Sequence, residues 1–204
     1  MRVLIEGPDL SGKTTLMVEL KARLDKMGLI SQDLHESGCS NKSLRRLLSR
    51  FSAASHPRNR YLNAAYILCG LTERTSIAKW TSNGCSILLC ETHVDRAICY
   101  GEAIGLKPAP QIALAVSSLF PRFDLAVLLV PPYKERLRRL GKRLHANPVD
   151  RATCLDESTH LRFITAYRRA LSRHYSLLEY DTSISTAQTI SEYISSRIAS
   201  TMLA

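Results

Sequence analysis

Short apolar runs recur along the chain, each followed by a polar loop and then by a stretch whose apolar residues return every three or four positions. Val3-Leu4-Ile5 is the first such run, and it predicts a strand over Val3–Glu6. After the loop that begins at Gly7, Leu16, Leu20 and Leu24 give Thr15 to Met27 a helical repeat, which Gly28 stops. Leu29 to Leu34 reads as a second strand, and His35-Glu36-Ser37-Gly38-Cys39-Ser40 is loop chemistry. Leu44, Leu47 and Leu48 resume a helix that His56-Pro57 breaks, and Tyr61 to Trp80 is a long helical stretch ending near Asn83-Gly84. Ser86 to Cys90 reads as a fully buried strand with Glu91 at its carboxyl end. Gly105, Pro108 and Pro110 punctuate the next helical region, and Pro121 precedes the strand Leu125 to Val130. Asp156 to Tyr180 is predicted as a helix whose last residues, Leu177–Tyr180, also suit a short strand, and Ser185 to Ile198 as a closing helix.

Strands of this continuous apolar kind, alternating with amphipathic helices, imply a parallel sheet of about five strands with helices on both faces, a three-layer α/β/α architecture. No repeat or low-complexity linker divides the chain, so residues 1–204 are expected to form one domain. Ligands of such sheets bind at the carboxyl ends of the strands. That rule gathers the Gly7 loop, the Glu36 loop and Glu91 into one crevice.

The loop itself carries the most specific chemistry. Gly7-Pro8-Asp9-Leu10-Ser11-Gly12-Lys13-Thr14, followed by Thr15, fits the phosphate-loop spacing G-x-x-x-x-G-K-S/T in the strand, loop, helix context that the motif needs. Glycines at 7 and 12 let backbone approach a polyphosphate, and the amides at the helix start offer donors and partial positive charge. Lys13 is placed for the β- and γ-phosphates of ATP, and the Thr14 hydroxyl for Mg²⁺. Glu91 is placed to accept a hydroxyl proton or to hold Mg²⁺ through water, or else to cap the next helix.

Composition modifies this picture in two respects. With 45% apolar and 23% charged residues the chain reads as an ordinary globular protein, but its formal net charge of +10 points to polyanionic partners, small or polymeric. Part of that charge lies in the run Lys134-Glu135-Arg136-Leu137-Arg138-Arg139-Leu140-Gly141-Lys142-Arg143, either a solvated helix face or an arginine-bearing lid over the phosphates. Six cysteines without a C-x-x-C pair read as buried thiols of an intracellular, cytoplasmic protein. The longest apolar run, Leu125 to Val130, is too short for a membrane span, and a strand starting at residue 2 leaves no room for a signal peptide.

Over nearly its whole length the chain resembles the thymidylate kinase family of P-loop kinases. Its loop resembles that family's G-x-D-G-x-G-K-T-T, with Asp9 and Thr15 matching and Leu10 in place of a glycine. His35-Glu36-Ser37-Gly38 resembles R-E-P-G, Leu44-Arg45-Arg46-Leu47-Leu48 resembles L-R-x-L-L, and Thr72-Glu73-Arg74 resembles A-D-R. Phe123-Asp124-Leu125 stands where the family has P-D before its fourth strand, and Arg139, Arg143 and Asp150-Arg151 resemble its lid, here about residues 136–155. The resemblance implies a P-loop kinase fold and ATP with Mg²⁺ as cofactors. Lys13, Glu91, Arg139 and Arg143 are then expected at the reacting phosphoryl group, and Thr14 and Glu91 at the metal. Asp9, Glu36, Arg45, Arg74, Arg96 and Tyr100 are expected around the acceptor, and a homodimer is possible for the family.

The departures fall at the acceptor. Where the family has D-R-Y-x-x-S-x-x-A-Y-Q, this chain has Glu91-Thr92-His93-Val94-Asp95-Arg96-Ala97-Ile98-Cys99-Tyr100-Gly101. The arginine that would hold an acceptor phosphate becomes Thr92, the base-stacking aromatic falls at Gly70, and the base-reading glutamine at Gly101. Deoxynucleoside kinases also place a glutamate at this strand end, and Glu91 resembles it. The expected activity is therefore transfer of the γ-phosphate of ATP to a nucleotide or nucleotide-like acceptor other than ordinary dTMP. Two alternatives remain open: a kinase acting on a hydroxyl within DNA, its pocket opened by the small residues at 70 and 101, and a nucleotide-binding module without turnover.

Overall fold

The computed structural model describes residues 1–34, 50, 59–81, 86–143 and 148–203, with residues 34, 72–81, 148–149 and 203 described by backbone alone. Five strands, β1 (Arg2–Glu6), β2 (Ser31–Leu34), β3 (Ile87–Glu91), β4 (Leu125–Leu129) and β5 (Leu177–Tyr180), form one sheet in the order β2-β3-β1-β4-β5. Every pairing is parallel, with Val3 opposite Leu89 on one side and Leu125 on the other. The helices are α1 (Lys13–Lys26), α2 (Arg60–Thr81), α3 (Val94–Ala103), α4 (Ala109–Ala115), α5 (Tyr133–Gly141), α6 (Pro148–Thr153), α7 (Glu157–Leu171) and α8 (Ala187–Leu203).

Alternation along the central strands sorts the apolar side chains onto two faces. Val3, Ile5, Ile87, Leu89, Leu125 and Val127 pack against Leu16, Leu20 and Leu24 of α1 and Ile190, Ile194 and Ile198 of α8. Leu4, Leu88, Cys90, Ala126 and Leu128 meet Ile98 of α3 and Phe163 of α7 on the other face. With both faces covered, nearly continuous apolar strands are what the sheet requires. Each fully buried Leu or Ile stabilises it by about 1.5–3 kcal/mol.

This sorting also positions the site. The helix following β1 lies on one face and the helix following β3 on the other, so the carboxyl ends of these neighbouring strands diverge and leave a crevice between them.

Two sequence expectations change. The helix predicted over Asp156 to Tyr180 ends at Leu171, and Leu177–Tyr180 is strand. The start was legible, because Asp156 accepts a hydrogen bond from the Thr159 amide at 2.6 Å. The end was not, since tertiary bonds of Arg173 and His174, rather than a local stop residue, divert the chain. The second strand starts at Ser31 rather than Leu29. The helix expected from Leu44 onward lies outside the described residues. Cys69, Cys90, Cys99 and Cys154 are buried free thiols, whereas Cys39 and Cys85 lie outside the described residues. Among the described residues no helix is long and apolar enough to cross a membrane, and no His, Cys, Asp and Glu cluster forms a metal site by itself.

Candidate active site at the sheet switch point

The phosphate loop takes the shape its residues predict. Gly7 has φ 150°, and a Cβ there would lie 2.5 Å from the Leu129 carbonyl oxygen, so only glycine fits against β4. Gly12 has φ 96° and precedes the first residue of α1. Leu10, which replaces the glycine of the resembled motif, sits at φ 69° in the left-handed region and bears the strain that a glycine would avoid. Pro8 accepts from the Ser11 amide at 3.2 Å, and the buried Ser11 hydroxyl has no hydrogen-bond partner among the described residues.

Lys13 is buried and folds back over the loop, donating to the Gly7 and Pro8 carbonyls at 2.9 and 3.1 Å. Burial lowers its pKa, although Asp9, Glu6 and Glu91 pull in the opposite direction. The Thr14 hydroxyl donates to Glu91 Oε1 at 2.8 Å. The two groups expected at the metal, one from the start of α1 and one from the end of β3, therefore meet across the crevice. A hydroxyl and a carboxylate are hard oxygen donors, the kind that suits Mg²⁺, which keeps most of its waters and takes few protein ligands.

Asp9 and Arg96, both expected at the acceptor, are also brought together, by an ion pair at 2.7 Å. Burial works to raise the Asp9 pKa, but Arg96 and Lys13 outweigh it and hold the carboxyl below its ordinary value. Asp9 in turn raises the pKa of Arg96. Tyr100 packs its ring against Phe163, centroids 5.7 Å apart, at the α3–α7 contact. Glu36 and Arg45 lie outside the described residues, as does the side chain of Arg74 on α2.

The cationic run divides into separate roles. Arg139 donates to the Leu10 carbonyl at 2.9 Å and to the Thr182 carbonyl at 3.2 Å, and is held by Glu135, so it lies against the phosphate loop. Arg143 is exposed and pairs with Asp150 at 2.8 Å. Arg136 is fully buried and donates to the Asp9 carbonyl, to the Thr153 carbonyl and to the Thr153 hydroxyl, bracing the loop from beneath. The run is thus not a single solvated face, since Arg136 and Arg139 turn toward the phosphate loop.

The small residues at 70 and 101 do not open a pocket, contrary to expectation. A Cβ on Gly70 would lie 2.5 Å from Val94 Cβ, and one on Gly101 2.5 Å from Pro110 Cγ. Both glycines are sites of close helix packing, Gly70 where α2 meets α3 and Gly101 where α3 meets α4. The loss of bulk therefore provides no room for a flipped-out nucleotide, and that support for an acceptor within DNA is withdrawn.

Sequence reasoning missed Glu6. It is fully buried at the end of β1, where Oε1 accepts from the His93 amide at 2.7 Å while Oε2 has no partner among the described residues. Burial pushes its pKa up to about 7. Together with the bond from the Thr92 amide to the Ile5 carbonyl, 3.3 Å long, this grip fixes the turn after Glu91, where Thr92 has φ 69°. A glutamate in an otherwise apolar run was the available signal.

No family model matches the chain, and neither does any curated protein. Among solved structures it is similar to the deoxyadenosine kinase of M. mycoides with bound dATP, with a TM-score of 0.59 at 14% identity, over 98% of this chain and 100% of that one. The chain has a P-loop kinase fold. The P-loop kinase fold accounts for the five-stranded parallel sheet and the loop at its switch point, whereas the thymidylate kinase resemblance is no more than one branch of that fold.

Proposed function

We propose that this chain is an ATP-dependent phosphotransferase of the nucleoside and nucleotide kinase type, which transfers the γ-phosphoryl group to a free hydroxyl of a nucleoside or nucleotide-like acceptor. The observation that carries this reading is the 2.8 Å contact between Thr14 and Glu91 beside a fully formed phosphate loop. Lys13 would exchange its carbonyl partners for phosphate oxygens, and Arg139 would add charge from the lid side. Mg²⁺, when bound, would neutralise phosphate charge, with Thr14 and Glu91 as its protein partners. Glu91 is also the group placed to take the acceptor proton.

The acceptor is expected to present a hydroxyl rather than a phosphate at this strand end. Thr92 is buried, and the charge of Arg96 is already engaged by Asp9. Losing one charge-assisted contact costs roughly 1.5–3 kcal/mol, about ten- to a hundredfold in efficiency for dTMP. The nucleoside specificity of the deoxyadenosine kinase with the similar fold supports the same direction.

The test is transfer of label from γ-labelled ATP to a panel of nucleosides, nucleoside monophosphates and an oligonucleotide. Label on nucleosides well above dTMP is expected, and no transfer to any acceptor would overturn the reading. Lys13→Ala is expected to lower the rate by about a hundredfold or more. Glu91→Gln, which keeps size and most hydrogen bonds, is expected to lower it by about two to four orders of magnitude. Either variant within about threefold of the parent would contradict the assigned roles.

A further inference from the structure

The ion pair between Asp9 and Arg96 spans the crevice, one partner on the loop after β1 and the other in the first turn of α3 after β3. The bond uses only part of what Arg96 offers. Its Nη2 donates to Asp9 Oδ1 at 2.7 Å, and among the described residues the guanidinium makes no other hydrogen bond. The side chain is 35% exposed and none of its nitrogens is buried without a partner, so its remaining N–H groups reach water. Both partners are held in place. The Asp9 carbonyl accepts from the buried Arg136 at 3.1 Å, and the start of α3 is tied to β1 by the bond from the His93 amide to Glu6.

From this arrangement we infer that the pair sets the class of acceptor: Asp9 cancels the charge of Arg96, so the site takes an unphosphorylated nucleoside in preference to its 5′-monophosphate, and removing the Asp9 carboxylate uncovers a phosphate seat on Arg96. The inference rests on the kinase reading given above and assigns its acceptor preference to one residue pair.

Charge separates the two acceptors. A phosphate monoester carries about −1.5 to −2 at neutral pH, and a guanidinium holds it well when its own charge is uncompensated. Seated on the open N–H groups of Arg96, a phosphate would lie beside the Asp9 carboxylate, and the two anions repel. A sugar hydroxyl is neutral and needs a donor and an acceptor, both of which the pair still offers.

The neighbouring cations leave Arg96 as the group at issue. Against burial, Arg96, Lys13 and Arg136 hold the Asp9 carboxyl ionised. Lys13 belongs to the phosphate loop, and Arg136 is bonded to Thr153 and His160. Thr92, where the resembled family has its phosphate arginine, is buried and carries no charge.

Calorimetry on the full chain tests the inference. With the phosphate loop filled by a saturating non-hydrolysable ATP analogue and Mg²⁺, the four common deoxynucleosides are titrated against their 5′-monophosphates. The parent is expected to bind no monophosphate more tightly than its nucleoside. Asp9→Asn keeps shape and an acceptor for Arg96 while removing the charge, and is expected to shift the affinity ratio toward the monophosphate by about tenfold or more. Asp9→Ser repeats the measurement if the first variant does not fold. Asp9→Asn combined with Arg96→Gln is expected to return the ratio to within about threefold of the parent, because the uncovered cation is gone.

A parent that binds monophosphates more than about tenfold more tightly than nucleosides would overturn the inference without any variant. So would an unchanged ratio in the folded Asp9 variants, or a raised ratio that survives in the double variant. Loss of nucleoside binding in Asp9→Asn would overturn it too, by showing that Asp9 holds the acceptor itself. Any of these leaves the kinase reading standing, whereas failure of every nucleoside and monophosphate to bind the parent would remove that reading together with the inference.

Discussion

Glu6 and Glu91 are both strand-end glutamates, yet only Glu91 could be assigned chemistry from its sequence context. Glu91 follows an apolar run at a recognisable position, whereas the partner of Glu6, the His93 amide, is 87 positions away along the chain. The burial that raises the Glu6 pKa to about 7 has a definite consequence for pH. Between the ordinary glutamate range and pH 7 the folded protein holds a proton that the unfolded chain has released, so stability falls as pH rises through this window and stays lower above it. Glu6→Gln keeps an acceptor for His93 and removes the titration. Its Tm is expected to be flatter than the parent's between pH 5 and 8 and higher at pH 8, with a gain on the order of 2–3 kcal/mol. Equal slopes for the two proteins in urea unfolding across this range would show that Glu6 does not titrate there. Leu10 carries a second residue-scale cost: at φ 69°, replacing it with glycine is expected to relieve about 1 kcal/mol of backbone strain.

At the scale of elements, the strands and most helices were legible because apolar period alone decides them. The termination of α7 and the meaning of Gly70 and Gly101 were not, because both depend on what other elements place nearby. A glycine within a helix reads equally well as an opened pocket or as a close contact until the neighbouring helix is in position. Val94 and Pro110 decide for contact. Gly70→Ala and Gly101→Ala would each gain up to about 1 kcal/mol of helix propensity but force overlap with a neighbour, for an expected net loss of about 1–2 kcal/mol in urea unfolding. A neutral or stabilising result would mean that the helices stand further apart and that the open-pocket reading returns. In the site itself, the phosphate loop, Lys13, Thr14 and Glu91 were readable from spacing, while the Arg96–Asp9 pair and the bracing role of Arg136 required the fold.

Across the whole molecule, one buried polar cluster ties α3 to the segments that lead into β4 and β5. Asp95 accepts from Arg173 at 2.8 and 2.9 Å and pairs with His93, while Arg173 also donates to the Pro121 carbonyl and His174 accepts from the Phe123 amide. Burial opposes ionisation of Asp95, but Arg173 and the two histidines outweigh it and hold the carboxyl well below its ordinary range. That contribution to stability is present above the ordinary aspartate range and is lost as pH falls through the folded value. Arg173→Ala, which strands the buried carboxylate, is expected to cost about 3–5 kcal/mol, measured by urea unfolding at neutral pH. A cost below about 1 kcal/mol would show that water reaches the cluster.

The order of strands has a consequence in time. β1 carries the phosphate loop, but the strands that flank it are β3, ending at Glu91, and β4, ending at Leu129. At roughly 5–20 residues per second, the ribosome supplies β4 about 6–25 s after β1. Throughout that interval Val3, Leu4 and Ile5 have no completed sheet to enter, and Gly7 has no Leu129 carbonyl to pack against. A nascent chain halted before Leu125 should therefore retain no nucleotide, even though every residue of the phosphate loop was synthesised long before.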